Sequence, residues 1–179
     1  DRIDPARTDA VVYLSDIYQG GGLGGVPPGT VKRLRLYSYH FAYQGAGGLL
    51  GVVGLDGPWD VRRILGTVPV APDGSALFRV PANTPIFVQP LDAEGKAQQI
   101  MRSWFTAMPG EELSCVGCHE TPMETPAGRS SMAAMRPPRD IEPWYGPARG
   151  FDFAREVQPV LDRYCVGCHN GPGGAQPDL

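Results

Sequence analysis

The chain has 179 residues, a formal net charge of −3 and 42% hydrophobic residues, a length that buries a real core in one domain or two small ones. Glycine (24) and proline (19) together make about a quarter of it, against a usual share of about 12%, so turns abound and long helices are few. The charge is too small to mark nucleic acid or an anionic membrane as partner, and no apolar run approaches the roughly 20 residues of a transmembrane helix.

In chain order, Val11 to Tyr18 reads as a strand rich in β-branched and aromatic residues. Gln19 to Thr30 is a glycine-rich run with two prolines; it lacks the lysine and the strand–helix context of a phosphate-binding loop and reads as a connection. Val31 to Tyr43 alternates, with Leu34, Leu36, Ser38, His40 and Ala42 on one face and Arg33, Arg35, Tyr37, Tyr39, Phe41 and Tyr43 on the other. Further strands are predicted at Leu49–Leu55, Val61–Leu65, Ala76–Val80, Ile86–Leu91 and Gln98–Trp104. Turns at Asp56-Gly57-Pro58, Pro72-Asp73-Gly74 and Asp92 to Gly95 separate them. This spacing predicts a compact β-sandwich-like domain over residues 1–112.

The pentapeptide Cys115-Val116-Gly117-Cys118-His119 follows, and it recurs letter for letter as Cys165-Val166-Gly167-Cys168-His169. The two motifs use all four cysteines and two of the three histidines. Cys-x-x-Cys-His is the spacing of covalent c-type haem attachment: two thiols meet the two vinyl groups and the adjacent imidazole ligates the iron. Two Cys-x-x-Cys pairs could also form a four-cysteine zinc site, but those pairs usually lie about 15–20 residues apart. Here 46 residues separate Cys118 from Cys165. Neither zinc, nor a disulfide framework, nor a thioredoxin-like pair needs the histidine. The expectation is two covalently attached haem c groups.

Between the motifs, Thr121 to Gly150 holds six prolines, which forbid regular structure, together with Met123, Met132, Met135, Trp144 and Tyr145. So many apolar groups in a proline-rich stretch predict a segment that wraps the haems. Residues 113–150 are thus read as a first haem-binding segment with its wrap. Phe151 to Tyr164 reads as a helix with Asp152 as N-cap and Phe153, Val157, Val160, Leu161 and Tyr164 on one face. Pro159 is expected to kink or shorten it. Residues 151–179 then form a short cytochrome c-like segment carrying the second haem. The fold class is mainly β with irregular haem-wrapping segments, ending in this short helical piece.

Two irons have four axial positions. His119, His169 and His40 fill three, with His40 the only histidine outside the motifs; the alternative for His40 is a hydrogen-bonded core residue beside Leu34 and Leu36. The fourth position is open to Met101, Met108, Met123, Met132 or Met135, to a tyrosine, to a histidine of another subunit, or to nothing. Haem attachment follows export, so a periplasmic or extracellular protein is expected, and a chain opening at Asp1 is expected to be a processed form or a fragment.

Several stretches resemble the haem-bearing middle region of the hydrazine synthase alpha subunit family. They are Leu34-Arg-Leu-Tyr-Ser-Tyr-His-Phe-Ala-Tyr43, Gly54-Leu-Asp-Gly-Pro-Trp59, Asp73-Gly-Ser-Ala-Leu-Phe-Arg-Val-Pro-Ala-Asn-Thr-Pro85, Met101-Arg-Ser-Trp104 and Pro109-Gly-Glu-Glu-Leu-Ser-Cys-Val-Gly-Cys-His-Glu120. Phe153 to His169 is similar to the start of that family's C-terminal cytochrome domain. The resemblance implies a catalytic haem with an open face and a second haem for electron transfer. It also implies a tyrosine ligand four residues beyond the motif histidine, where this chain has Met123.

Three functional readings remain. The first is a dihaem cytochrome carrying electrons between haems and to other redox proteins or haem subunits. The second is a redox enzyme whose open haem acts on a small nitrogen or oxygen species. The third is a haem-stacking subunit of a larger assembly, self-association included.

Overall fold

The computed structural model describes residues 3–39, 62–118, 123, 130–144 and 152–169. The chain divides into two compact units, Asp1–Gly146 and Pro147–Leu179. In the first, six strands are formed among the described residues: β1 (Asp9–Leu14), β2 (Arg33–Tyr39), β3 (Arg62–Pro69), β4 (Ala76–Pro81), β5 (Ile86–Leu91) and β6 (Glu112–Cys115). They make two three-stranded sheets, ordered β4-β1-β6 and β3-β2-β5. The fold is mainly β, as the alternation predicts.

Period-2 patterning decides which side chains go inside. Ala10, Val12 and Leu14 of β1 and Ala76, Phe78 and Val80 of β4 are buried from one sheet; Leu34, Leu36, Val68 and Ile86 are buried from the other. All ten belong to one core cluster, so the two sheets share a single apolar interior in the manner of a sandwich. The opposite face of the β3-β2-β5 sheet is aromatic. Tyr37 stands opposite Phe87 with rings stacked at 4.6 Å and 7°, and the Arg62 guanidinium lies 5.5 Å from the Phe87 ring.

Four differences from the predicted elements have physical causes. The first strand stops at Leu14 rather than running to Tyr18. The Asp16 carboxylate accepts the Tyr18 amide at 3.0 Å and the Asp16 carbonyl accepts Gln19 at 3.0 Å, a local turn that competes with the ladder. Second, Gln98–Trp104 is not a strand. Along the β5 edge the amides of Gln98, Met101 and Phe105 donate to the carbonyls of Pro90, Val88 and Ile86 at 2.9, 3.0 and 2.9 Å. The partner advances by two residues per bond while this segment advances by three and then four. Pro90 offers that edge a carbonyl but no N–H, which removes one rung of a regular ladder.

Third, β6 goes unpredicted. Its four residues, Glu112–Cys115, show no long alternation, and their extended form comes from parallel pairing with β1 in the register Val11↔Glu112 to Leu14↔Cys115. Fourth, the second unit's helix opens with a π-helical turn, Phe153–Val157, before α1 (Gln158–Tyr164). Pro159 cannot donate to the carbonyl of Arg155 and its ring crowds that carbonyl. The chain widens instead, and Gln158 donates to Phe153, five residues back. Asp152 is the N-cap as expected, its Oδ1 accepting the Arg155 amide at 2.9 Å.

The predicted strand Leu49–Leu55, the Asp56–Pro58 turn and residues 40–43 of the second strand lie outside the described residues.

Candidate haem-attachment sites

The first motif is held against the turn that ends β1. Parallel pairing brings Cys115 opposite Leu14, and hydrogen bonds continue beyond both strand ends. The Ser15 amide donates to Cys115 O at 2.9 Å and the Asp16 amide to Val116 O at 3.1 Å. Further along, Cys118 donates to Gln19 O at 2.9 Å and Gly22 donates to Cys118 O at 3.0 Å. The approach is close enough to exclude side chains at two places. A Cβ on Gly117 would overlap Gln19 O, and one on Gly22 would stand 2.8 Å from both Cys118 O and Cys118 Sγ. The glycine-rich run at 19–30, read from sequence as a plain connection, is therefore also the platform for the Cys-x-x-Cys loop.

Both cysteines of that loop line a cavity of about 680 Å³. Its walls are Val12 and Leu14 of β1, Leu34 of β2, Phe78 of β4 and Val88 of β5, with Ile17 and Phe105. One side is formed by Gln99, Ile100, Met101, Arg102 and Ser103, the residues left over where the 98–105 segment outpaces β5. The volume falls within the roughly 300–1,000 Å³ of small-molecule and cofactor sites. Apolar walls suit a porphyrin, and two thiols on one rim suit thioether bonds to one edge of it. The residues present fit a haem.

His119 and His40 lie outside the described residues. Of the five methionines considered as ligands, Met101 lines this cavity. Met108, Met132 and Met135 are exposed, and Met123 is 90% exposed. Sequence reasoning weighed all five alike; nothing in the pattern around Met101 marks it, because its place depends on the irregular run past β5.

The second motif lies in the other unit and is built differently. The Cys165 amide donates to Leu161 O at 2.8 Å, closing α1, and the amides of Cys168 and His169 both donate to Cys165 O at 3.0 Å. That turn sets Cys165, Cys168 and His169 at the three- and four-residue offsets that share one side of a helical turn. Cys165 is half-buried and Cys168 exposed. A Cβ on Gly167 would meet nothing within 4 Å. Phe153, Val160 and Tyr164, predicted to form an apolar face, are exposed at 58%, 52% and 70%.

The described part of the proline-rich segment, expected to cover the haems, is held by backbone pairing to the sheets. None of the cavity-lining residues comes from 130–144. Instead this strap runs along two sheet edges, pairing Arg139 with Phe78 of β4 and Glu142 with Thr67 of β3. Its start is fixed by polar contacts: Tyr13 OH lies 3.0 Å from Ser131 Oγ, and the Asp73 carboxylate accepts the Met132 amide at 2.7 Å. Desolvation pushes the Asp73 carboxyl up, but that amide, the Ser75 hydroxyl and the Ser75 amide together hold it below the usual aspartate value.

Among the described residues no group of three or more His, Cys, Asp or Glu side chains could hold a metal ion, and no helix is long and apolar enough to cross a membrane.

Comparison with known proteins agrees with this picture. No curated protein sequence matches the chain. Among solved structures, hydrazine synthase of Kuenenia stuttgartiensis matches with a TM-score of 0.64 at 19% identity, over 97% of this chain and 31% of that one. At that identity the likeness is one of fold, and the chain spans about a third of the matched protein's length. The sequence profile of the hydrazine synthase alpha subunit middle domain matches residues 29–120. That span is about half of the chain and includes the whole first Cys-x-x-Cys-His motif, so the chain belongs to the hydrazine synthase alpha subunit middle-domain family.

Proposed function

We propose that this protein is a dihaem c-type cytochrome that carries electrons between its haems and to redox partners. One haem c is attached to Cys115 and Cys118, the other to Cys165 and Cys168. The observation that carries this reading is the apolar cavity of about 680 Å³ with both Cys115 and Cys118 in its lining. A bound haem supplies reversible one-electron transfer at iron.

The chain's own residues do the rest. The thiols anchor one edge of each macrocycle, and the walls from β1, β2, β4 and β5 keep water from the first. His119 and His169 are the motif-borne iron ligands. His40 would serve as the second ligand of the haem held by His119: the sequence alternation groups it with Leu34 and Leu36, and a neutral imidazole in apolar surroundings loses solvation unless its lone pair is taken. The working parts are then a β-rich domain (1–112), a first haem-binding segment (113–150) and a cytochrome c-like segment (151–179). Thioether formation places the protein outside the cytoplasm, in the periplasm or beyond. Membership of a subunit family supports docking with other redox proteins or haem subunits, further copies of this chain included.

Intact-mass measurement tests the cofactor count. The protein should exceed its polypeptide mass by two haem groups, and acidified acetone should extract neither; one haem, or bound zinc, overturns the reading. Replacing His40→Ala should open one coordination position and give a high-spin signal that binds carbon monoxide. Two haems remaining low-spin would make His40 a core residue.

A further inference from the structure

The cavity beside Cys115 and Cys118 is chemically lopsided. Its strand-borne walls are apolar, and apart from the two cysteines its polar side chains all come from the run at 99–103. Gln99 is already engaged: its amide nitrogen donates to Gly22 O at 3.1 Å and its oxygen accepts the Ile100 amide at 2.9 Å. Ser103 is neutral. Arg102 is the one charged side chain of the lining. It is exposed and has no hydrogen-bond or ion-pair partner among the described residues.

A haem c is lopsided in a matching way. The edge with the vinyl-derived thioethers and the ring body are apolar, while the far edge carries two propionate carboxylates that need water or a cation. An exposed guanidinium at the rim keeps its own hydration and offers the paired donors that carboxylates take in bidentate fashion. We infer that Arg102 binds a propionate of the haem carried by Cys115 and Cys118. The 115–118 loop then fixes one edge of the ring and Arg102 the other. This rests on the haem attachment proposed above.

The inference has an electrical consequence. Reduction lowers the charge at iron by one unit, so a fixed cation at the propionate edge stabilises the reduced haem and raises its potential. Arg102 being exposed, its replacement leaves the core intact. The experiment is potentiometric titration of the holoprotein and of Arg102→Gln and Arg102→Lys, with peptide mass mapping of haem attachment in each. The expected result is attached haem throughout, a lower midpoint potential for one haem in Arg102→Gln, and recovery of most of that shift in Arg102→Lys. The same shift in a Cys165→Ser/Cys168→Ser background assigns it to the first haem. Unmoved potentials with haem on Cys115 and Cys118 overturn the inference, as does a shift confined to the second haem. Absence of haem from Cys115 and Cys118 in the unsubstituted protein is a separate result, and it overturns the attachment reading itself.

Discussion

The Gln19 carbonyl accepts the amide of Cys118 at 2.9 Å, and the same oxygen occupies the place a methyl on Gly117 would need. The two pentapeptides are identical in sequence, yet only the first is gripped this way; Gly167 has open space around it. Identical chemistry is thus mounted on a sheet edge in one unit and on a helix end in the other.

Gly117→Ala should therefore be costly and Gly167→Ala nearly silent. The obstacle at Gly117 is backbone, which cannot swing aside, so the loop must shift and the protein should lose about 1–3 kcal/mol, the usual range for overpacking. Gly167→Ala should stay within about 0.5 kcal/mol. Thermal unfolding of both variants checks this, with peptide mapping showing reduced haem yield at the first motif alone. Equal effects of the two changes would contradict the grip.

The strap at 130–144 should loosen in acid. Asp73 accepts Met132 N at 2.7 Å and the Ser75 hydroxyl at 2.6 Å, and Ser75 Oγ in turn accepts Ala133 N at 3.0 Å. Because the carboxyl sits below its ordinary value, its contribution is present above the unfolded-state aspartate value of about 3.9. It is lost as pH falls through the folded-state value. The protection of the Met132 and Ala133 amides against hydrogen exchange, relative to the intrinsic rate at each pH, should fall over that interval, and Asp73→Asn should remove the acid-dependent step. An unchanged pH profile in Asp73→Asn would show that another group controls the strap.

Phe78 should be among the most costly positions in the shared core. It is 1% exposed, sits between Leu77 and Arg79 on β4 opposite Val12, and forms part of the cavity wall. Phe78→Ala should cost about 3–5 kcal/mol by denaturant unfolding, the transfer and cavity terms acting together. Phe78→Leu, which keeps most of the volume, should cost clearly less. Similar losses for the two would mean that shape rather than volume governs this wall.

The sandwich was legible in the sequence where alternation ran long enough to give a face, as in Leu34-Leu36-Ser38 and Ala76-Phe78-Val80. The two Cys-x-x-Cys-His motifs were legible because all five of their positions are contiguous in the sequence. What stayed hidden depended on partners far along the chain. β6 is extended because β1 lies beside it, and Met101 and Arg102 reach the cavity because Pro90 breaks the ladder that would have made 98–104 a strand. The Pro-rich strap carried apolar groups, as read, but backbone pairing with Thr67 and Phe78 takes its described part to the sheet edges. No local pattern announces such pairings.

The helix that presents the second motif should depend on its first cap. It is short, a five-residue π-helical turn followed by seven α-helical residues, and neither piece buries a residue. A helix of that length is marginal alone, and Pro159 removes a donor from it. Asp152 compensates at the start: with φ −101 and ψ 125 it is extended, and its carboxylate accepts the Arg155 amide at 2.9 Å, satisfying one orphan donor. Its charge also suits the positive end of the helix dipole. Downstream, the Leu161 carbonyl receives both Cys165 and Val166 amides at 2.8 and 3.0 Å, so the cysteine turn is an extension of the helix. Asp152→Ala should cost about 1 kcal/mol of helix stability and speed hydrogen exchange at Arg155 and at Cys165 together. Asp152→Asn, which keeps the cap, should leave both nearly unchanged. Exchange that rises at Arg155 but not at Cys165 would show that the cysteine turn holds without the helix before it.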